Sequence, residues 1–513
     1  MTAVTYSDSS DREPRSSANP RDDADAASRQ WRSVWRIHFY AGIFAMPFIL
    51  MMAVTGLVIL YTQPIHDATQ GSIRTVSAWP STVTADLQEQ AVEAAYPTGA
   101  VISMTTPADR EHATVFGLDD GSTAGLQVFV NPYTGRVLGS DKPGSGVVGL
   151  ANRLHGLLNN NTIDVGLPTV SALWDHGPVV RDYLVGDLIL EILGGWTLVL
   201  ICSGLYLWWP RRSRWKGAER SRGRKVLGVR FARKGRARWR DIHAMSGLLL
   251  FGALLLTIIS GMAWSTYWGP NFTALANEIS PNTWTDAPAS TVGTRGELDR
   301  LGNQIHWNTG DIPIPASYAT EADGSLPAPI SLDSITAIGE QEGMLPGYTV
   351  YFPANATDEA GNTVYGSFTL SNSWPRKTGE AKDVFIDQFS GGTLDHQTAY
   401  GYGAVSYGLD VMVSTHMGTQ LGIVSRILMT AMCILAMCSV FSAGKMFWKR
   451  RRPGTAGLPR RPVDVKLATR LAIFLCVFAI AFPTWGITAL VVLAFDRFVI
   501  RRVRPLRVTF GQH

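Results

Sequence analysis

The hydrophobic positions along this chain fall into long runs that are separated by polar segments. Each of the first four runs carries few charges and is close to the ~20 residues with which a helix crosses ~30 Å of hydrocarbon. These runs lie at about 39–61, 187–209, 244–264 and 417–441. A fifth run, 467–500, is divided by Pro483. The pattern predicts an α-helical integral membrane protein with a four-helix transmembrane bundle and a C-terminal hydrophobic hairpin.

Two polar segments between these runs, 63–186 and 265–415, have the alternation of small soluble α+β modules. "ADLQEQAVEAAYP" (85–97) and "SLDSITAIGEQEG" (331–343) predict short helices, the second with Ser331 as its N-cap. Strand-like stretches follow each helix, at 100–106, 112–117 and 126–131 and then at 347–352, 364–370 and 383–387. Because "VFIDQFSGGTL" also mirrors "VFVNPYTGRVL", the two modules are predicted to share one architecture.

The apolar runs repeat as well. "WRIHFYAG" precedes the first run and "WRDIHAMSG" opens the third. In both, a histidine is followed at offsets 17 and 18 by a hydroxyl residue and a glycine, Thr55-Gly56 after His38 and Ser260-Gly261 after His243. The chain is therefore predicted to be a duplicated unit of span, module and span.

Charge predicts the orientation of these units. Segment 210–240 holds 14 Lys/Arg and one acid, and segment 442–466 holds eight Lys/Arg and one acid, whereas both modules are acidic on balance. Basic loops stay in the cytoplasm, so the N-terminus is predicted inside and the modules outside a cell (inner) membrane. The basic runs contain no nucleic-acid-binding motif and are typical of loops near anionic lipid. The predicted units are 1–30 (disordered cytoplasmic tail), 31–62, 187–209, 241–264 and 416–441 (spans), 63–186 and 265–415 (extracytoplasmic modules), 210–240 and 442–466 (basic cytoplasmic loops), 467–500 (hairpin) and 501–513 (cytoplasmic tail).

Four of the ten histidines are separated by this topology into two inner and two outer residues. His38 and His243 lie at the cytoplasmic edge, whereas His416 opens the fourth span and His155 lies on a short outer helix. Such an array suits two cofactors stacked in a helical bundle, each held by two imidazoles. His176 competes with His155 for the outer site. We therefore predict His38, His155, His243 and His416 as cofactor-binding residues and axial ligands of haem iron.

Glycines at helical spacing fit this prediction. Gly42 and Gly247 lie one turn after the inner histidines and leave the bare surface that a porphyrin plane needs. Gly56 and Gly261 return to the same face ~27 Å further on, where a second haem would need room. The haems are predicted to be b-type, because the four cysteines form no Cys-x-x-Cys-His motif. Packing between helices without a cofactor is the alternative reading of these glycines.

An arginine within the fourth apolar run is a further candidate. Arg426 is an intramembrane charge, and such groups are functional candidates. It can pair with a haem propionate, pair with Glu191, or extend its charged end to the membrane edge.

At these motifs the chain resembles the PepSY-associated transmembrane-helix family. The matching pieces are "WRIHFYAG", "NPYTGRVLG", "RLHG", "CSGLYLWWPRR", "WRDIHAMSG", "VFIDQFSGGTL" and "STHMG". The chain is similar to iron-regulated membrane proteins, which include di-haem reductases that release iron from ferric siderophores. "SAGKMFWKRRRP" in the fourth span departs from the "SGLYLWWPRR" pattern.

The resemblance implies two PepSY-like modules and a haem-dependent membrane reductase of the ferric-siderophore type. Its donor would be a cytoplasmic-side quinol or flavoprotein, and its acceptor an extracytoplasmic ferric siderophore. The alternative, from a different functional class, is a non-enzymatic PepSY-type membrane sensor or protease-regulating protein. A haem spectrum of the purified protein separates the two.

Overall fold

A computed structural model describes most of the chain. The described residues are 20–122, 125–160, 162–168, 180–209, 235–265, 267–281, 294, 298, 310, 312–317, 327–372, 376–450 and 469–510. Within them, five helical stretches are long and apolar enough to cross a membrane: Gln30–Leu60, Val185–Trp208, Arg236–Met262, Ile423–Arg450 and Pro483–Ile500. The protein is therefore a multi-pass membrane protein.

The helices are numbered along the chain. They are α1 Pro20–Leu60, α2 Thr62–Arg74, α3 Ala85–Ala95, α4 Gly146–Leu157, α5 Val185–Trp208, α6 Arg236–Met262, α7 Trp268–Ile279, α8 Leu332–Gln341, α9 Ala404–His416, α10 Ile423–Arg450, α11 Thr469–Ala481, α12 Pro483–Phe495 and α13 Arg504–Thr509.

The four longest helices form a closed ring, in the order α1, α5, α6 and α10, each packing against two neighbours. Small and apolar side chains fill the interface of α1, α6 and α10, with Ala53, Leu250 and Cys433 at its centre. Helices α1 and α6 face each other across the ring, so side chains from these two helices can meet in its interior. We call the end where α1 and α6 begin the loop edge, and the end where α1 finishes the sheet edge.

Beyond the sheet edge lies one eight-stranded antiparallel sheet. The strands of the chain are β1 Ala100–Thr105, β2 Thr114–Asp119, β3 Leu126–Val130, β4 Val137–Asp141, β5 Asp164–Pro168, β6 Val180–Leu184, β7 Thr349–Tyr351, β8 Ala356–Thr357, β9 Thr363–Val364, β10 Ser367–Ser371, β11 Lys382–Asp387 and β12 Thr393–Thr398. The large sheet has the order β12-β11-β10-β7-β1-β2-β3-β4, while β5-β6 and β8-β9 form separate pairs.

The two predicted modules are therefore halves of a single sheet. They join where β1 pairs with β7, with Met104 opposite Val350. Helices α3 and α8 pack with both halves in one apolar core that contains Val92 and Ile335. Burying the joint core from both segments removes the open strand edge that each module would have alone.

The two module helices also cap each other. The backbone N–H of Ala85, at the start of α3, donates to Asp333 of α8 over 2.7 Å. In return the N–H of Leu332, at the start of α8, donates to Asp86 of α3 over 2.8 Å. A carboxyl group satisfies the unpaired N–H groups of a helix start and favours its positive dipole end. These two hydrogen bonds hold α3 against α8 and so connect the two halves of the sheet.

The predicted N-cap Ser331 is confirmed, since its hydroxyl accepts from the N–H of Ser334.

Two predicted boundaries are wrong. The tail was expected to extend to residue 30, but α1 begins at Pro20; proline at the first helical position followed by acidic residues favours a helix start. The fourth span was expected from 416, but it begins at Ile423. His416 instead ends the separate helix α9. Gly418, with a φ of +75°, lies in the turn between α9 and α10, where a side chain would collide with Leu60.

The C-terminal apolar run forms two short helices, α11 and α12, that meet at Phe482. Near this turn, Trp268 donates its indole N–H to the carbonyl of Ala481 over 3.2 Å, on the sheet side of the bundle. The chain then returns to the loop edge, where the carbonyl of Phe510 accepts from the Arg36 guanidinium of α1. The predicted region 467–500 is thus two helices that pack on the outside of α5, with Trp485 against Gly195.

Candidate functional site

The four histidines singled out in the sequence meet in two pairs. His38 of α1 and His243 of α6 face each other near the loop edge, with ring centroids 6.2 Å apart. His155 of α4 and His416 of α9 face each other near the sheet edge, with ring centroids 6.3 Å apart. All four side chains are half-buried. Helix α4 packs against α1, and α9 packs against α6. The second pair therefore lies on two short helices that pack against spanning helices.

The spacing within each pair suits two ligands on opposite sides of one metal ion. A metal–imidazole nitrogen bond is about 2.0–2.1 Å, and a ring centroid lies about 1.1 Å beyond the nitrogen, so two such ligands place their centroids about 6.2–6.4 Å apart. Both observed distances lie at this value. Within the described residues no group of three or more His, Cys, Asp or Glu side chains could hold a metal ion. A pair of imidazoles at this spacing would suit a porphyrin, whose ring would supply the remaining ligands of the metal.

At the loop edge, hydrogen bonds fix the orientation of both imidazoles. Nδ1 of His38 lies 3.0 Å from the carbonyl of Leu200, and Nδ1 of His243 lies 3.1 Å from the carbonyl of Ser439. A carbonyl oxygen only accepts, so Nδ1 carries the proton in each ring. The unprotonated Nε2 of each ring is then free to bind a metal ion, as in the histidine ligands of metal sites.

In the sheet-edge pair, the partners of Nδ1 are hydroxyl groups instead of carbonyls. Nδ1 of His155 lies 2.9 Å from the Thr55 hydroxyl of α1, and Nδ1 of His416 lies 3.0 Å from the Ser260 hydroxyl of α6. Each hydroxyl donates its own proton elsewhere, Thr55 to the carbonyl of Met51 and Ser260 to a carbonyl one turn earlier. When Thr55 and Ser260 donate in this way, each hydroxyl accepts the Nδ1 proton, and Nε2 is left unprotonated.

Two of the predicted glycines lie beside the outer imidazoles. A Cβ at Gly56 would lie 3.4 Å from Cε1 of His155, and one at Gly261 would lie 3.9 Å from Cε1 of His416. Gly56 and Gly261, which were predicted only to lie at the opposite membrane edge from His38 and His243, are thus next to the two outer histidines. A Cβ at Gly247 would meet nothing within 4 Å, whereas one at Gly42 would contact Leu200 at 3.6 Å.

Sequence reasoning did not find the groups that orient the rings. Thr55 and Ser260 were noticed only through their equal offset from His38 and His243, which carried no indication of a hydrogen-bonding role. The hydroxyl of Ser203 lies 3.0 Å from Nδ1 of His38, but no sequence pattern singled this residue out. A further residue missed is Gly204, where a Cβ would lie 3.1 Å from Cε1 of His38.

The remaining predicted candidates lie elsewhere. His176, the rival for the outer site, is outside the described residues. Glu191 is not the partner of Arg426, because its carboxyl group accepts hydrogen bonds from the N–H groups of Tyr267 and Trp268 and from the Thr484 hydroxyl. No ion pair between Glu191 and Arg426 occurs in the part of the chain that the structure describes.

Comparison with known proteins agrees with this architecture. The family model described as the PepSY-associated TM region matches residues 35–451, which include all four paired histidines. A search of curated proteins gave no match to the chain. With most of its length covered by that model, the chain belongs to the PepSY-associated transmembrane family.

Proposed function

We propose that this protein is a membrane di-haem electron-transfer protein. His38 and His243 would hold one b-type haem, and His155 and His416 a second. The observation that carries the proposal is the meeting of the four histidines in two pairs whose ring centroids are 6.2 and 6.3 Å apart. In all four rings the Nδ1 proton is engaged in a hydrogen bond, which leaves Nε2 for a metal ion.

The residues of the chain would position each haem, orient its histidine ligands and exclude other molecules from the iron. Bound haem supplies one-electron redox chemistry. Two histidines at each site would hold the iron from both sides, which would favour electron transfer over the binding of small molecules. Along α1, His38 and the Thr55 that orients His155 are separated by 17 residues, about 26 Å at 1.5 Å per residue. The two sites therefore lie near opposite edges of the ~30 Å hydrocarbon layer.

The direction of transfer follows from the charge of the loops. With the two basic loops in the cytoplasm, the loop-edge pair would face a cytoplasmic-side donor, a quinol or a flavoprotein. The sheet-edge pair would face an extracytoplasmic acceptor held by the sheet. A ferric siderophore suits that acceptor, since hard oxygen donors release iron more easily once Fe³⁺ has been reduced to Fe²⁺. Arg426, in the first turn of α10 at the same edge, is our candidate for pairing with a haem propionate.

Haem content of the full chain in detergent tests the proposal. We expect two b-type haems per chain by pyridine haemochrome and a six-coordinate low-spin spectrum. His243→Ala should remove about half of the haem or leave a five-coordinate form, and it should block reduction by a quinol or flavoprotein while dithionite still reduces the remaining haem. His396→Ala is the matched control, because His396 is an exposed histidine of β12, and it should retain both haems.

Two further outcomes bear on the proposal. A wild-type protein with one haem or none would overturn it, and a colourless protein would favour the membrane sensor instead. Loss of haem in His396→Ala as large as that in His243→Ala would also contradict the assignment. To test the acceptor, protein reduced with dithionite and freed of excess reductant is mixed with a ferric siderophore and a chromogenic Fe²⁺ chelator. Prompt reoxidation of the haem with matching Fe²⁺ release is the expected result.

A further inference from the structure

The two histidine pairs differ in what accepts the Nδ1 proton. At the loop edge each Nδ1 lies within hydrogen-bond distance of both a backbone carbonyl, of Leu200 or Ser439, and a serine hydroxyl, of Ser203 at 3.0 Å or Ser439 at 3.2 Å. At the sheet edge the acceptors are side-chain hydroxyls, of Thr55 and Ser260. The partners come from four different spanning helices. The kind of partner therefore depends on whether the histidine pair lies at the loop edge or the sheet edge, not on which helix supplies it.

This difference changes how strongly each imidazole binds a metal ion. A group that accepts the Nδ1 proton raises the basicity of the ligating nitrogen. The oxygen of a peptide carbonyl is a stronger acceptor than a neutral hydroxyl. A more basic axial imidazole stabilises ferric over ferrous iron, and hydrogen bonding to axial ligands is one of the means by which a protein adjusts reduction potential.

Two other serines adjust the loop-edge carbonyls. Ser203 donates its hydroxyl proton to the Leu200 carbonyl over 3.0 Å, and Ser442 donates to the Ser439 carbonyl over 2.9 Å. Each of these carbonyls is thus shared between an imidazole and a hydroxyl. Removing the Ser442 hydroxyl leaves more of the Ser439 carbonyl to His243, so the effect of this acceptor can be altered without touching a ligand. The Ser203 hydroxyl does not offer this test, because it is itself 3.0 Å from Nδ1 of His38.

We propose that these hydrogen bonds set the order of the two reduction potentials, lower at His38–His243 and higher at His155–His416. The inference rests on the proposed function. With haem bound, the transfer would move one electron from the loop-edge site to the sheet-edge site, with no atom gained or lost by the pair. Thr55 and Ser260 are positioning residues that make this transfer favourable in the outward direction.

Spectroelectrochemical titration of the full chain in detergent tests the inference. We expect two one-electron steps whose equilibrium constants differ by about tenfold or more, which corresponds to about 59 mV. The step that survives in His416→Ala belongs to the loop-edge site and should be the lower one. Thr55→Val removes an acceptor and should raise only the higher step, by about threefold in its equilibrium constant, ~30 mV. Ser442→Ala should lower only the lower step, because it leaves the Ser439 carbonyl to His243.

Thr197→Val is the matched control. The Thr197 hydroxyl of α5 is buried and donates to a carbonyl one turn earlier, as that of Thr55 does, over 2.7 Å. It should move neither step. A colourless protein would overturn the proposed function and this inference with it. Two haems with coincident or reversed potentials would overturn the inference alone, as would a Thr55→Val shift no larger than that of Thr197→Val.

Discussion

Replacing Glu191 by alanine is expected to loosen the sheet edge of the bundle. The side chain is 2% exposed, and its carboxyl group links three elements, α5, α7 and α12. One oxygen accepts from the N–H groups of Tyr267 at 3.2 Å and Trp268 at 2.9 Å, and the other accepts from the Thr484 hydroxyl at 2.9 Å. Those two N–H groups lie at the start of α7, where a helix has no internal acceptor for them.

The size of the effect follows from the two N–H groups. An unsatisfied buried donor costs about 1–3 kcal/mol. Because Tyr267 and Trp268 are only half-buried, the lower limit applies, and losing the acceptor of both N–H groups costs about 2 kcal/mol. The Thr484 hydroxyl can turn to its own helix and is left out of the sum. At 1.4 kcal/mol per factor of ten, the lower limit makes local opening about 30-fold more frequent. Glu191→Gln keeps an oxygen for the N–H groups and an amide that Thr484 can accept from, so its cost should stay below about 1 kcal/mol.

Amide hydrogen exchange in detergent measures this opening directly. In Glu191→Ala the Tyr267 and Trp268 amides should exchange about 30-fold faster or more than in the wild type, whereas amides in the sheet core should be unchanged. Glu191→Gln should remain close to the wild type. Exchange at these two amides within a fewfold of the wild type in Glu191→Ala would show that the carboxyl group does not hold α7, and the reasoning would fail.

Two other predictions concern histidines outside the loop-edge site. Burial lowers the pKa of His112, but hydrogen bonds and charge from Asp109 and Asp67 outweigh burial and hold the pKa above its usual value. This stabilisation is complete below about pH 6.5 and is lost as pH rises through the raised pKa; His112→Asn should therefore lower the melting temperature at about pH 6 and leave it unchanged at about pH 9. His155→Ala should halve the haem content while His176→Ala preserves it, and the reverse result would transfer the outer ligand to His176.

The sequence predicted the histidine pairs because they depend on helix periodicity and depth. A histidine at the same position of two repeated spans, His38 and His243, places both imidazoles at one level of the bundle. The offset of 17 or 18 residues then identifies the opposite level, where Gly56 lies beside His155. These relations are local to one helix, so they can be read without knowing how the helices pack.

The hydrogen-bond partners of the rings could not be predicted in the same way. Ser203 and Ser439 are 165 and 196 residues from the histidines they contact, and their roles depend on the rotation of one helix against another. The start of the fourth span was missed for a local reason. The apolar run 417–441 continues through the turn that contains Gly418, and hydropathy does not register a positive φ.

The predicted strands were close to those observed, but their union was not foreseen. Alternation along 100–106 and 347–352 indicates strands and says nothing of which strands pair. The pairing of β1 with β7 joins residues from the two repeats of the chain. The sequence therefore predicted two similar modules, where the structure has a single sheet.

That union has a consequence for the order of folding during synthesis. Thr105 of β1 and Thr349 of β7 are 244 residues apart. At a translation rate of about 5–20 residues per second, β7 emerges about 12–50 s after β1. Throughout this interval two further spanning helices are inserted while β1 presents unpaired backbone groups, which are a template for pairing with other chains. The first half of the protein must therefore be protected from aggregation until the second half arrives, and a chain that ends before β7 keeps that edge open.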